Sequence, residues 1–479
     1  MDEQKKNRAD RRITQFIIKK LFNMFDHVIN FNIEDRITII YGVNGIGKTT
    51  ILKIINDTFN NRFLELRKIP FDTIEYKFDD DCKLVITKKI NKKSEQLNEE
   101  NKLSKILLSF VFIDNKGKSF KSDFPFPSFE HSNFPLEFII NRTLPFLKQI
   151  DENMWIDFRS DKTYNLDLIL SKYSDRIELA LRKFDFLSKT DIPISSSRTP
   201  VWLKDVLDSV SVCFIESQRL LSSESMDISD SSKIIDTKKM IESVKKYSND
   251  LVDRINLARS KYADVSQTLD RTYPTRLLDM LIEPKQNMPT KEQIFNRLIE
   301  LEKERERLMN VGLVEFSTGQ DVIQKRPEKS SEGLIQALSL FTDDNKVKLD
   351  TFKELARKIE IIKEIINKRF LFKIMDISKD IGFVFRLSDN KNTILKITDL
   401  SSGEQNILVI HYELLFKTPS RSLILIDEPE ISLNVDWQNE FINDLQNIID
   451  IAKLDVLIAT HSPQIIHDKW DLTVKLERK

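Results

Sequence analysis

The chain has 479 residues, with 75 Lys plus Arg against 75 Asp plus Glu, so its formal net charge is zero. That length holds two or three packed units, or one large domain with an insertion. The balance argues against a protein that coats nucleic acid by bulk electrostatics and leaves room only for a local basic face. The two cysteines, Cys82 and Cys213, lie far apart. They exclude a disulfide framework and a cysteine metal site, and read as ordinary thiols in a reducing compartment. The charged opening MDEQKKNRADRR leads into no apolar segment long enough for a signal or a bilayer span. The expectation is a soluble, cytoplasmic protein with no membrane partner.

ITQFIIKK, HVINFNI and RITIIYG read as short strands, the last buried and ending at Gly42. Residues 49–59, TTILKIINDTF, carry apolar residues at helical spacing directly after a glycine loop. TIEYKF, KLVITKKI and ILLSFVFID predict an antiparallel β meander, and the proline-broken FPFPSFEHSNFP (124–135) predicts a loop leaving the first lobe. Residues 136–208 read as mostly helical, followed by a strand, SVCFIE, and then Gln218 and Arg219. The serine- and aspartate-rich 222–232 predicts a mobile surface loop. Charged, periodically apolar stretches at 236–271 and 291–309 predict a short antiparallel helical arm. Residues 328–344 read as part loop and part helix, and 349–370 as helix, before strand, loop and helix alternate to the end. The expected division is 1–135 for a first lobe, 136–225 for a helical segment with one strand, 226–345 for a helical insertion, and 346–479 for a second lobe.

Four of the nine glycines, Gly42, Gly45, Gly47 and Gly403, fall in two short segments, where the backbone must do what a side chain would forbid. GVNGIGKTT (42–50) fits G-x-x-x-x-G-K-[ST] between a predicted strand and a predicted helix. Its glycines let Asn44, Gly45, Ile46, Gly47, Lys48, Thr49 and Thr50 form a nest of N–H groups at a helix N-terminus, which favours phosphates. Lys48 is expected to bridge the β- and γ-phosphates of ATP, and the Thr49 hydroxyl to hold Mg²⁺. The rival is a chance glycine turn, which the flanking strand and helix oppose.

SLILIDEPE (422–430) is an apolar strand ending in carboxylates, of which Asp427 is expected to bind the metal through water and Glu428 to polarise the attacking water. Alone it reads equally well as a solvent-facing strand end. LIATHSP places His461 after a further buried strand. A lone histidine is usually structural, and its place after a third motif favours a γ-phosphate contact. Gln218 is the candidate to complete the metal shell, with Arg219 as its competitor.

DLSSGEQNILVI resembles the signature of ABC-type ATPases through Ser401, Ser402, Gly403, Glu404 and Gln405. The resemblance implies an ABC-type head, an α/β P-loop fold of mixed sheet flanked by helices plus an antiparallel meander. It implies that the signature closes over the nucleotide of a partner subunit, in a head-to-head dimer or a higher homo-oligomer. More than three hundred residues separate Lys48 from Ser402, the layout of a head split by a mostly helical insertion with a short coiled-coil-like arm. LSSGEQ, LILIDEPEISLNVDWQ and ATHSPQII, with the opening strands and FIESQRLL, are similar to the OLD-like, AAA_15-type ATPases of bacterial anti-phage defence systems. Within that group the PARIS ATPase subunits come first and those of Septu and related retrons second. Asn434 stands where many of them carry histidine in the D-loop.

The resemblance implies a slow ATPase that senses infection and holds or activates a separately encoded nuclease of TOPRIM or HNH type. Because the sequence runs only to Lys479, the expectation is that this chain carries no nuclease domain. A phage protein or nucleic acid is the expected trigger. The alternative is a RecF-like or SMC-like DNA-repair ATPase that binds DNA directly.

Overall fold

The computed structural model describes residues 10–90, 106–124, 136–151, 154–159, 162–165, 169, 173, 200–216, 232–283, 289–314, 332–389, 393–433 and 435–477. The predicted loops at 125–135 and 222–231 lie outside them, as do Gln218, Arg219 and Asn434.

The chain forms two compact units, one from residues 1–232 and 418–479 and the other from 233–417. In chain order the elements begin with β1 (Ile13–Leu21), β2 (Phe25–Asn30), β3 (Ile37–Tyr41), α1 (Lys48–Phe59), α2 (Phe63–Lys68), β4 (Thr73–Phe78), β5 (Lys83–Ile90), β6 (Ile106–Ile113) and β7 (Ser119–Phe124). Next come α3 (Leu136–Thr143), β8 (Leu147–Asp151), β9 (Met154–Asp157), β10 (Lys162–Asn165), α4 (Val201–Asp208) and β11 (Val212–Glu216). The second unit holds α5 (Ser232–Ile282), α6 (Lys291–Asn310), α7 (Glu332–Asp350), α8 (Lys353–Arg369), β12 (Lys373–Ser378), β13 (Gly382–Leu387), β14 (Ile394–Leu395) and α9 (Ser402–Tyr412). The chain then returns to the first unit with β15 (Leu423–Asp427), α10 (Val435–Ala452), β16 (Asp455–Thr460), α11 (Pro463–Ile466) and β17 (Thr473–Lys475).

In the first unit parallel and antiparallel strands divide between two main sheets. The order β11-β15-β16-β3-β17 is parallel at every pairing. Its central strands β3, β15 and β16 are near-continuous apolar runs, as strands covered on both faces must be. The order β2-β1-β4-β5-β6-β7 is antiparallel. There β4 alternates half-buried and buried positions, so one face turns to the core. Helix α1 fills the space between the sheets, burying Ile51, Leu52, Ile54, Ile55 and Phe59. The Phe59 ring meets Tyr76 of β4 edge-on at 5.0 Å, and α1 also packs on β11, β15 and β16. Each buried isoleucine there contributes roughly 1.5–3 kcal/mol. Arg12, just before β1, joins the two sheets by donating to both carboxylate oxygens of Asp455, the first residue of β16, at 2.8 and 2.5 Å.

The second unit packs α8 on β12 of the antiparallel sheet β12-β13-β14. Gly382 opens β13 at φ +81°, and a Cβ there would lie 2.4 Å from both the carbonyl oxygen and Oγ of Ser248. That close approach fastens α5 to the hairpin, with Ser248 Oγ donating to the Ile381 carbonyl and accepting from Phe383 N–H. Two residues on, Asp250 accepts from Arg254, Lys417 and Tyr412. Burial pushes the Asp250 carboxyl up, but these donors outweigh it and hold it down at about 2. The last turn of α9 and the π-helical turn Glu413–Lys417 are tied to α5 in this way.

Two readings change. Residues 147–165, expected to be helical, form the small antiparallel sheet β8-β9-β10. Its strands are too short for a period to declare itself, and cross-strand pairing decides the conformation. Helix α5 runs through Pro274 to Ile282, past the expected stop at Arg271. Helix α7 forms over the part of 328–344 that the structure describes and continues to Asp350. It packs on α6 through Ile335 and Leu338 against Ile294, Phe295 and Leu298. It also holds α5 by the Arg276–Asp344 pair at 2.7 Å.

Asp57, near the end of α1, is buried, and burial raises its carboxyl from an ordinary 3.8 to about 6. A raised folded-state pKa means that stability present below pH 4 is lost as the pH climbs through about 6. Asp57→Asn should therefore stabilise the protein at pH 8 by up to about 3 kcal/mol and leave it unchanged at pH 4. Urea titrations at the two pH values check this.

Candidate functional site

The parallel register sets the site. Asp427 at the end of β15 pairs with Ala459, and Thr460 at the end of β16 pairs with Tyr41, the last residue of β3. Three loops therefore leave the carboxyl edge of the sheet side by side, where ligands of open α/β sheets bind. The strand before Gln218 ends at the same edge, since Glu216 pairs with Asp427.

The first loop, 42–47, curls into the N-terminus of α1. Gly45 and Gly47 have φ of +81° and +101°, in the left-handed region. A Cβ on Gly47 would sit 2.6 Å from Leu21 Cδ2, so the tight turn needs both its torsion and its bareness. The buried His27 donates from Nε2 to the Ile46 carbonyl at 3.1 Å and props the loop from behind. Burial lowers the His27 pKa and keeps the ring neutral. Ile46 itself is buried, so it serves the loop through its main chain.

Lys48 is 5% exposed, and its Nζ donates to the carbonyls of Gly42 at 3.0 Å and Val43 at 3.4 Å. It also lies 3.2 Å from His461 Nδ1. Burial lowers the Lys48 pKa, opposed by the nearby charges of Glu428, Asp427 and Glu430. An ammonium group only donates, so His461 Nδ1 is the acceptor and its proton sits on Nε2, facing Glu428 Oε1 at 3.6 Å. Thr49 Oγ1 donates to Asp427 Oδ1 at 3.0 Å. Glu428 adopts φ +46°, ψ +56°, a left-handed conformation that a glutamate rarely takes. Its N–H donates to the Ala459 carbonyl at 2.8 Å, which holds the chain there as it turns out of β15.

These groups face an open cavity of about 660 Å³, which Asn44, Thr50 and Phe22 also line. The structure thus brings together Asn44, Gly45, Gly47, Lys48, Thr49, Thr50, Asp427, Glu428 and His461. The residues suit a nucleoside triphosphate and a divalent cation. Backbone N–H groups at the start of α1 and one buried cation face phosphates, and a hydroxyl and a carboxylate 3.0 Å apart suit Mg²⁺ shared with phosphate oxygens. Sequence reasoning missed Phe22, which hides in the β1–β2 turn with φ +54°. It also missed His27 and the use of Glu430, whose only signal is a third acid in DEPE.

The signature residues belong to the second unit. Ser401 caps α9 by accepting from Glu404 N–H at 3.2 Å, and Glu404 Oε2 accepts in return from Ser401 N–H at 2.6 Å, a capping box. Lys373 fixes Glu404 at 2.7 Å. Gln405 is buried and donates to the Leu400 carbonyl. Ser401, Glu404 and Gln405 therefore build the helix start, and Ser402 stands exposed on its first turn beside Gly403.

A P-loop on the carboxyl edge of a parallel sheet, facing an acidic pair and a histidine, defines a P-loop nucleotide-hydrolase head. The chain belongs to the AAA_15 family of AAA ATPase domains, whose profile matches residues 13–466. No curated protein matches it. Similar solved structures include the Smc head domain with an extended coiled coil bound to the C-terminal domain of ScpA, from Pyrococcus furiosus. It is 11% identical over 98% of this chain and 94% of that one, with a TM-score of 0.33. The SMC head domain from Thermotoga maritima is 10% identical over 97% and 94%, with a TM-score of 0.30. The fold follows from strand order and register rather than from these superpositions. Among the described residues no helix is long and apolar enough to cross a membrane.

Lys48→Ala should weaken ATP binding by roughly a hundredfold or more, two charge-assisted hydrogen bonds being lost. Calorimetric titration with ATP and Mg²⁺ checks this. Undiminished affinity would remove the loop as the phosphate site.

Proposed function

We propose that this ATPase is a subunit of an anti-phage defence complex, which binds and slowly hydrolyses ATP while holding or activating a separate nuclease. The observation that carries the ATPase half is the convergence of Lys48, Thr49, Glu428 and His461 on one cavity, with Asp427 bonded to Thr49 behind it. The defence half is supported by AAA_15 membership and by the LSSGEQ, DEPEISLN and THSPQII segments, which are similar to defence ATPases. Among those, the AriA ATPase of PARIS is our first choice and the PtuA ATPase of Septu the second. Zero net charge stands against the RecF-like or SMC-like alternative, which would need a face for DNA.

In this reading Lys48 neutralises the β- and γ-phosphates in the loop of N–H groups. Thr49 and Asp427 hold Mg²⁺, which screens phosphate charge when bound. Glu428 orients a water and accepts its proton, and the Nε2–H of His461 points toward the same place. Ser402 and Gly403 serve the nucleotide of a second copy, making ATP part of a head-to-head dimer. Gln218 and Asn434 keep the metal-shell and D-loop roles that the sequence suggests.

Glu428→Gln should retain ATP affinity and lose turnover by roughly 10²–10⁴-fold. It should accumulate ATP-dependent dimers in light scattering. Unchanged turnover would remove Glu428 as the base. Purification together with the products of neighbouring reading frames, in ATP and Mg²⁺, tests the defence role by mass spectrometry. A stoichiometric TOPRIM or HNH protein is the expected companion. Recovery of this chain alone, or with DNA that survives moderate salt, would favour the DNA-repair alternative.

A further inference from the structure

The third carboxylate of the DEPE segment is placed as deliberately as the first two. Glu430 Oε2 accepts from Thr460 Oγ1 at 2.8 Å, and Oε1 accepts from the main-chain N–H of His461, also at 2.8 Å. Thr460 is fully buried, and its hydroxyl accepts from Ser462 N–H at 2.9 Å. Ser462 Oγ donates to Gln438 Oε1 at 2.8 Å, and Gln438 Nε2 donates to the carbonyl of Glu430 at 3.2 Å. The bonds close a ring through the turn after β15, the helix α10 and the loop after β16. His461 is tied into that ring by its backbone. Its imidazole projects toward Lys48 and Glu428, at 3.2 and 3.6 Å.

We propose that Glu430 is a positioning residue for ATP hydrolysis, its carboxylate fixing the His461 main chain so that the imidazole stays between Lys48 and Glu428. This rests on the nucleotide-site reading above. The ring explains why an acid serves here. Two donors converge from one side, and an ionised carboxylate offers each of them an oxygen. A glutamine can keep the bond to His461 N–H, while its NH₂ donates to a Thr460 hydroxyl that turns away. An alanine leaves both donors unsatisfied and frees the loop.

Glu430→Ala should lower kcat for Mg²⁺–ATP by roughly 10- to 100-fold, as a shift of about 1 Å in a reacting group does. ATP affinity should change by less than about threefold, and Glu430→Gln should recover most of the rate. In a His461→Ala background the same Glu430→Ala change should cost no more than about twofold, because the group it positions is gone. Thr460→Val keeps the side-chain shape and removes the bridging hydroxyl, and it should lower kcat in the same direction. It serves as the test if Glu430→Ala fails to fold.

Wild-type turnover in Glu430→Ala or in Thr460→Val, with Lys48→Ala inactive, would overturn the proposal and leave the nucleotide site standing. An equal loss with and without His461 would overturn it too. Turnover that persists in Lys48→Ala would bring down the nucleotide-site reading and this inference with it.

Discussion

The register of a parallel sheet is the constraint on which this molecule depends. β15, β16 and β3 are locked side by side by main-chain hydrogen bonds and by apolar side chains that have nowhere else to go. Side chains of these strands are buried on both faces of the sheet, so the alignment of strand ends is held by packing from both sides. The chemistry follows from it. Asp427, His461 and the loop after Tyr41 meet because their strands stop at the same height, although the sequence separates that loop from the other two by hundreds of residues.

At that edge the sheet's order is exchanged for local strain. Gly47 turns inside a space that Leu21 denies to a side chain, and Glu428 holds a left-handed conformation without being glycine. The Glu428 conformation costs on the order of 1–3 kcal/mol unless neighbours over-determine it. The neighbours are evident: Ala459 accepts from the Glu428 N–H, and His27 grips the loop at Ile46. Strain concentrated where ligand groups converge, and absorbed by a rigid sheet beneath, is the arrangement a preorganised site requires.

Much of this is legible in the sequence alone. Long apolar runs such as LILID and DVLIAT declare strands buried on both faces, and the glycine loop between ITIIY and KTTILKIINDTF declares its own geometry. What stayed hidden depends on partners distant in sequence. Strands of four or five residues, such as MWID and KTYN, exist only because they pair with each other. The continuation of α5 through Pro274 gains from Arg276 reaching Asp344 on another helix, which no local propensity reports. Ser401 and Glu404 look like ligand groups in the linear text and spend their hydrogen bonds on capping a helix.

The position of β3 has a consequence for how the protein comes into being. Its two neighbours in the sheet are β16 and β17, both near the far end of the chain. On a ribosome adding about 5–20 residues per second, β3 waits some tens of seconds before either partner emerges. Through that interval ITIIY and the glycine loop are synthesised without the edge that shapes them. The phosphate cradle is the first motif to be made and one of the last to be built. A nascent chain therefore has no ATP site until β16 has been translated, and one truncated before β16 never acquires it.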